Sequence, residues 1–528
     1  MSAILSADDL NDFISPGVAC IKPVEGPSEG AGNAGEVEIQ IDENGDPLEI
    51  SKIDGKVSTL SAAQISLADC LACSGCITSA EEVLVAQHNH DQLLKALTEG
   101  TKSFVVSISH QSRSSLAHAF GYSIEEMDRL LVNFFQYQLG FKFVVGTALG
   151  RKLSLLQESH ELMQRKKDTI TAPVLSSICP GWVLYAEKTH PYALPYMSQV
   201  KSAQQITGCI LKSLAAEELG IPRENVYHLS IMPCFDKKLE SARPEASSEL
   251  EASDVDCVLT AKELVNLIES SEYNLIPKEG LASVPDMPVT DLYNSCAPEM
   301  WPFKDLSWAN DSGSQSGGYA HNYLGIYKNH LMHTDPNKYT EEGFCVRTIE
   351  GKNSDIYEMR LMHKDEKVAS AAVVNGFRNI QNLVRRLKPT PGGIKPTKAN
   401  PLVARRRARV AGKASSSTSG DETADASKCD YVEIMACPNG CINGGGQISS
   451  PQPSLEKEWL NQVKDVYDKI KMIDISSNHN ADITEQLLSW CTKFSDDAGI
   501  SQSRLYHTSF SEVEKPTDPN SILLGAKW

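Results

Sequence analysis

Apolar and polar positions change period along the chain, and each change marks a segment. Val37, Ile39 and Ile41 alternate with polar neighbours, the period-two pattern of a half-buried strand, and stop at the turn sequence Glu43-Asn44-Gly45-Asp46. From Ser103 onward apolar runs alternate with helical stretches, which predicts a strand from Phe104 to Ile108, a helix from Ser123 to Gly140 and a strand from Phe141 to Val145. Ser123 is placed to cap that helix, Glu126 completes a capping box, and Gly140 follows its last turn. Its buried face is expected to be Leu130, Leu131, Phe134 and Phe135. The middle of the chain therefore reads as α/β.

Three more strand-like runs stop just short of a cysteine. Pro173 to Leu175 precedes Cys179, Tyr227 to Met232 precedes Cys234, and Tyr431 to Met435 precedes Cys437. Ligands of open α/β sheets bind beyond the C-terminal strand ends, so this placement predicts three strands bringing three thiols to one crevice. Between Lys388 and Lys428 periodicity is lost to Pro, Gly, Ser and Thr, around the basic run Arg405-Arg406-Arg407-Ala408-Arg409. That stretch reads as a solvated linker, with a nuclear import signal as the alternative.

Composition narrows the function classes. At 528 residues the chain has room for more than one core, and 41% apolar with 22% charged residues fits a soluble globular protein. A net charge of -18 argues against a broad basic surface for nucleic acid, so partners are expected to be proteins. The acidic start MSAILSADDLNDF lacks the basic region of a secretory signal, and no apolar run reaches the roughly 18 residues of a membrane span. The expectation is a cytoplasmic protein, neither exported nor anchored, with a nuclear pool as the alternative. In a reducing compartment 14 unevenly spaced cysteines point to metal ligation rather than disulfides.

The first cysteine set is Cys70, Cys73 and Cys76, a C-x2-C-x2-C run that can wrap three thiolates around one face of a cuboidal iron–sulfur cluster. Cys20, the only other cysteine before Cys179, is the economical fourth ligand. Structural zinc, the competing reading, usually takes cysteines as paired knuckles rather than as a triple. The second set spans Ser177-Ile178-Cys179-Pro180-Gly181-Trp182, Met232-Pro233-Cys234-Phe235-Asp236-Lys237-Lys238-Leu239-Glu240, and Met435-Ala436-Cys437-Pro438-Asn439-Gly440-Cys441-Ile442-Asn443-Gly444-Gly445-Gly446-Gln447. Proline beside three of these cysteines fixes tight turns, and Gly444 to Gly446 would let backbone approach a bulky cofactor.

These three segments resemble the motifs of the iron-only hydrogenases. The resemblance, which covers most of residues 100 to 528, implies a hydrogenase-like active-site domain of two α/β lobes, preceded by a small ferredoxin-like region. It also implies a 4Fe–4S cluster held by Cys179, Cys234, Cys437 and Cys441. Ile178 stands where hydrogenases carry a proton-delivering cysteine, and its side chain cannot transfer a proton. Asn439 replaces a motif glycine, while Lys237 is retained. The whole pattern is similar to the hydrogenase-like factors, or narfins, of the cytosolic iron–sulfur protein assembly machinery.

That family implies two 4Fe–4S clusters, cluster 1 on Cys20, Cys70, Cys73 and Cys76 and cluster 2 on the hydrogenase-like four, with no catalytic residues. It also implies scaffold and client proteins as partners, and a WD40-propeller subunit of a targeting complex that reads the terminal Trp528. The expected layout is a cluster region over 1–98, a first part of the α/β domain over 99–387, the linker over 388–428, and the last part with a wrapping segment and tail over 429–528. His507 is expected to pack within that wrapping segment. Cys209, Cys257, Cys296, Cys345, Cys429 and Cys491 are left outside both sites.

Overall fold

The structure is a computed structural model, and it describes Val85 and residues 88–167, 173–243, 253–271, 273–276, 284–388 and 423–513, together with the backbone of three earlier strands. The chain divides into two compact units, Met1–Glu82 and Val83–Trp528. In the first, strands β1 (Val37–Ile41), β2 (Pro47–Ser51) and β3 (Val57–Thr59) form an antiparallel sheet, with Val37 opposite Ser51 and Leu48 opposite Thr59. β1 covers the alternating run read from the sequence.

The second unit is built on two sheets. Strands β4 (Ser103–Ile108), β5 (Phe143–Gly146), β7 (Val226–Met232) and β8 (Cys257–Thr260) make an all-parallel sheet in the order β5-β4-β7-β8. The order reverses direction between β4 and β7, which opens a crevice beyond the ends of those two strands. The second sheet, β6-β12-β11-β10-β9, joins β6 (Val174–Leu175), β12 (Tyr431–Met435) and β11 (Glu366–Asn375) in parallel. β10 (Ile356–His363) and β9 (Phe344–Glu350) then add antiparallel strands at its far side. The two α/β lobes expected from the sequence are these two sheets with their helices.

One apolar cluster ties the lobes together. It runs from Val105 and Val145 of the first sheet, through Leu149 and Leu153 of helix Ala148–Lys167 and Ile206 and Ile210 of helix Ala203–Leu219, to Val373 and Ile434 of the second. A second cluster covers the other face of the first sheet, where Val106, Ile108 and Leu229 meet Leu131, Phe134 and Phe135. These last three lie on the predicted helix, which begins at the Ser123–Glu126 capping box and passes from α-helix Ile124–Val132 into π-helix Asn133–Gln138. Leu130 is only partly buried at the rim of that face. Helix His90–Glu99, placed on the N-terminal side of the expected 98/99 boundary, packs in the second unit through the fully buried Leu93.

Residues 389–422 of the expected linker lie outside the described residues, and its last part, Ala426–Lys428, is a helical turn leading into β12. The C-terminal segment is tied back onto the second unit's interior. His507 bridges to Val200 and its Nε2 meets Glu161 at 2.7 Å, while Arg504 grips the buried Asp254 through two bonds of 2.7 and 2.8 Å. Among the described residues no helix is long and apolar enough to cross a membrane.

Candidate metal centre

Cys179, Cys234, Cys437 and Cys441 come from both sheets. β6 and β12 are neighbours, with Val432 opposite Leu175, so Cys179 and Cys437 leave adjacent strand ends side by side. Cys234 follows β7, which belongs to the other sheet. The three strands that lead to the cysteines are therefore divided between the two sheets. The crevice lies where the C-terminal end of one sheet faces that of the other.

Cys179 caps helix Pro180–Thr189, with Pro180 in the first-turn position where its missing N–H leaves no bond unmade. Its sulfur accepts the backbone N–H of Ala436 at 3.2 Å and sits at the N-terminal end of the helix, where the helix dipole favours a thiolate. Cys437 follows Met435-Ala436, just past the end of β12. Between Cys437 and Cys441 the chain turns through two left-handed residues, Asn439 at φ 61° and Gly440 at φ 78°. Asparagine adopts that conformation more readily than other residues with a Cβ, so the turn keeps its shape where hydrogenases carry glycine. The Cys441 N–H is held by the Ser316 hydroxyl at 2.9 Å.

The glycine run has a use other than the one expected. A Cβ at Gly444 would fall 2.3 Å from the Pro233 carbonyl oxygen, and one at Gly446 would fall 2.3 Å from Thr260 Cγ2. Gly446 N–H also donates to that Pro233 oxygen at 3.0 Å. Gly444 and Gly446 thus let the Cys441 loop close on the turn that carries Cys234, while Gly445, with Phe235 at 3.9 Å, is the one of the three with room. The close approach is between two cysteine-bearing loops.

The four thiols act on one another. Burial pushes all of them above their ordinary range, Cys441 up to about 12. The neighbouring thiols add to the rise, Cys437, Cys441 and Cys179 all acting on Cys234. Three of these residues are half-buried as whole residues, yet their sulfurs lie inside, which is why burial dominates. Bare, such a nest stays protonated at neutral pH. Metal that replaces the protons removes the repulsion. Four buried thiols, with the Ala436 N–H already on the Cys179 sulfur, fit the four-thiolate coordination of a 4Fe–4S cluster. Among the described residues no three His, Cys, Asp or Glu side chains close on a single-ion geometry.

Beside the nest, Lys237 Nζ donates to the Ile178 carbonyl at 3.0 Å and to both Glu240 oxygens at 2.8 and 3.0 Å. The i,i+3 pair of Lys237 and Glu240 is therefore formed. Glu240 is fixed further by Ser202 and Gln204 at 2.8 and 2.9 Å. Ile178 itself is buried in the apolar cluster between the lobes. The Ser316 contact was not foreseen, although the Ser- and Gly-rich run from Ser312 to Gly318 marks a tight loop of small residues. That loop is pinned by the buried Glu433 of β12, which takes the Ser314 hydroxyl and the Ala320 N–H. Cys20, Cys70, Cys73, Cys76 and Trp528 lie outside the described residues. Cys209, Cys257, Cys296, Cys429 and Cys491 are buried, and Cys345 is exposed.

Residues 102–445 match the family model described as the iron only hydrogenase large subunit, C-terminal domain. A solved FeFe-hydrogenase structure, reported for oxygen inactivation of its H cluster, superposes with TM-score 0.53 at 21% identity over 80% of this chain and 99% of that one. A second, from Chlamydomonas reinhardtii, gives 0.51 at 20% over 78% and 94%. The fold is thus that of an iron-only-hydrogenase-like domain. The chain is also 62% identical, over 100% of both sequences, to the cytosolic Fe-S cluster assembly factor NAR1 of Scheffersomyces stipitis. It is 42% identical, over 98% of both, to that of Yarrowia lipolytica. The chain belongs to this family of hydrogenase-like cytosolic iron–sulfur cluster assembly factors.

Proposed function

We propose that the chain is a carrier of the cytosolic assembly pathway that binds two 4Fe–4S clusters and passes clusters to apoproteins outside mitochondria. Cluster 1 sits on Cys20, Cys70, Cys73 and Cys76, and cluster 2 on Cys179, Cys234, Cys437 and Cys441. Scaffold and client proteins exchange ligands with these thiolates, and a WD40-propeller subunit of a targeting complex engages Trp528. The observation that carries the reading is the convergence of four mutually repelling, buried thiols from two sheets.

The reading as carrier rather than catalyst rests on two neighbours of the nest. Ile178 offers no group to move a proton. Each of the three Lys237 N–H bonds already has a partner, in Ile178 and Glu240, so none is left for a further ligand in the pocket. The expected result is no hydrogen turnover and no carbonyl or cyanide bands in the infrared, and either would overturn the reading. Iron and sulfide counting on the anaerobic full chain tests the two sites. Cys73→Ala removes one cluster, Cys437→Ala the other, and loss of all iron from either change at unchanged fold would sink the two-site reading.

A further inference from the structure

We infer that Asp236 is a reserve ligand of cluster 2, an oxygen donor that takes over an iron when Cys234 releases it. The inference rests on the carrier reading above and concerns how the nest lets a cluster go.

Asp236 lies two residues beyond Cys234, and its carboxylate is lodged among the other ligand turns. A Cβ at Gly181, two residues past Cys179, would meet Asp236 Oδ2 at 2.6 Å and Ala436 Cβ at 3.3 Å. Ala436 precedes Cys437 and donates to Cys179 at 3.2 Å. The absent side chain of Gly181 is therefore what leaves room for this carboxylate.

Asp236 is half-buried and, among the described residues, has neither a hydrogen bond nor an ion pair. Other carboxylates of this fold are tied down: Asp128 holds Arg113, Asp311 holds Lys152, and Glu240 holds Lys237. The adjacent Lys237 turns its ammonium to Glu240 and Ile178 instead. A carboxylate drawn partly out of water with no hydrogen bond is costly, and the charge of Lys237 offsets that only in part. An iron held by the neighbouring thiolates would supply a partner.

The exchange moves no electrons. The bond from iron to Cys234 sulfur breaks as a bond from iron to Asp236 oxygen forms, one anionic ligand replaces another, and the freed thiolate takes a proton from solvent water. Oxygen is a harder donor than sulfur and holds cluster iron less firmly, which leaves the cluster ready for a thiol of an acceptor. Cys234 is the ligand placed to let go, because it alone comes from the first sheet.

The test uses the anaerobic full chain, with iron and sulfide counts, electron spin resonance and iron release to bathophenanthroline as readouts. Cys234→Ala is expected to keep cluster 2, and Cys234→Ala with Asp236→Asn to lose it, a difference of about four iron atoms per chain. Asp236→Asn in the otherwise unchanged chain should slow release about tenfold, or about 1.4 kcal/mol in barrier. Equal iron in the single and double variants, or an unchanged release rate, overturns the inference. If Cys437→Ala changes neither iron nor sulfide, the carrier reading falls, and the inference with it. Where circular dichroism shows Asp236→Asn to be misfolded, Asp236→Ala takes its place.

Discussion

The two lobes hold the cluster ligands in different ways. In the mixed sheet, Cys179 and Cys437 leave neighbouring parallel strands and are already joined by the bond from Ala436 N–H to Cys179 sulfur. Cys441 follows within one short turn of Cys437. Three ligands are thus set by one sheet, before the lobes meet. The parallel sheet contributes only Cys234, on a short turn ahead of the six-residue helix Asp236–Ser241. A four-thiol site therefore exists only when the lobes are closed, and its closure is recorded in the contact of Gly444 and Gly446 with Pro233.

The largest effect is expected where that closure is broken. Gly444→Ala places a methyl group 2.3 Å from the backbone oxygen of Pro233, and a backbone atom cannot swing aside as a side-chain tip can. The two loops must separate, which is expected to abolish cluster 2 and to cost about 1–3 kcal/mol of stability. Gly445→Ala, with its nearest neighbour at 3.9 Å, should retain iron and serves as the control. Iron content and urea unfolding decide it. Full iron in Gly444→Ala would show that Cys234 does not need the other loop.

Much of this was legible in the sequence because the signals are local. Strand runs ending at Cys179, Cys234 and Cys437, and the Ser123–Glu126 capping box, depend on neighbours in the chain. What could not be read was which sheet each strand joins. A run such as Tyr227 to Met232 is buried on both faces and carries no mark of its partner, so its membership of a different sheet from β6 and β12 is visible only in the fold. The glycine run was read as room for a cofactor for the same reason, since Pro233 and Thr260 approach it from distant parts of the chain. Asp236 drew no notice because a single acid in a motif looks solvated until its surroundings are seen.

A second difference between the lobes lies in their buried titrating groups. On β7 of the parallel sheet, His228 Nδ1–H donates to the Asp254 carbonyl at 2.8 Å and Nε2 faces Ser107 Oγ at 2.9 Å. Burial lowers its pKa from 6.5 to about 4. Beside the mixed sheet, Glu158 is raised by burial from 4.5 to about 8, and neither of its oxygens has a hydrogen-bond partner of good geometry. The signs are opposite. Between pH 6.5 and 4 the unfolded chain takes up a proton that folded His228 refuses, so stability falls as pH falls through that window. Between pH 4.5 and 8 folded Glu158 keeps a proton that the unfolded chain releases, so its contribution is lost as pH rises. The acid limb is on the order of 3 kcal/mol and the alkaline limb on the order of 5 kcal/mol. His228→Gln should flatten the acid limb and Glu158→Gln the alkaline one, in unfolding curves measured across pH; a variant that leaves its own limb in place would refute that assignment.

The smallest effect is expected at Asn439, where the sequence departs from the hydrogenase motif within the better-organised lobe. Its φ of 61° belongs to the left-handed region, where glycine is free of strain and most other residues are not. Asparagine tolerates it, and here its N–H donates to Asp355 Oδ1 at 2.7 Å while its side-chain oxygen takes Lys464 at 3.3 Å. Asn439→Gly loses only the long bond from Lys464 and gains an unstrained turn, so stability should stay within about 1 kcal/mol and iron content should not change. Asn439→Val puts a β-branched residue at the same φ and should cost about 1–2 kcal/mol more than glycine. Urea unfolding of the two variants separates them. Equal stability would mean that the Cys437–Cys441 turn relaxes away from its left-handed form, and that the mixed sheet does not fix its three ligands as firmly as its strand pairing suggests.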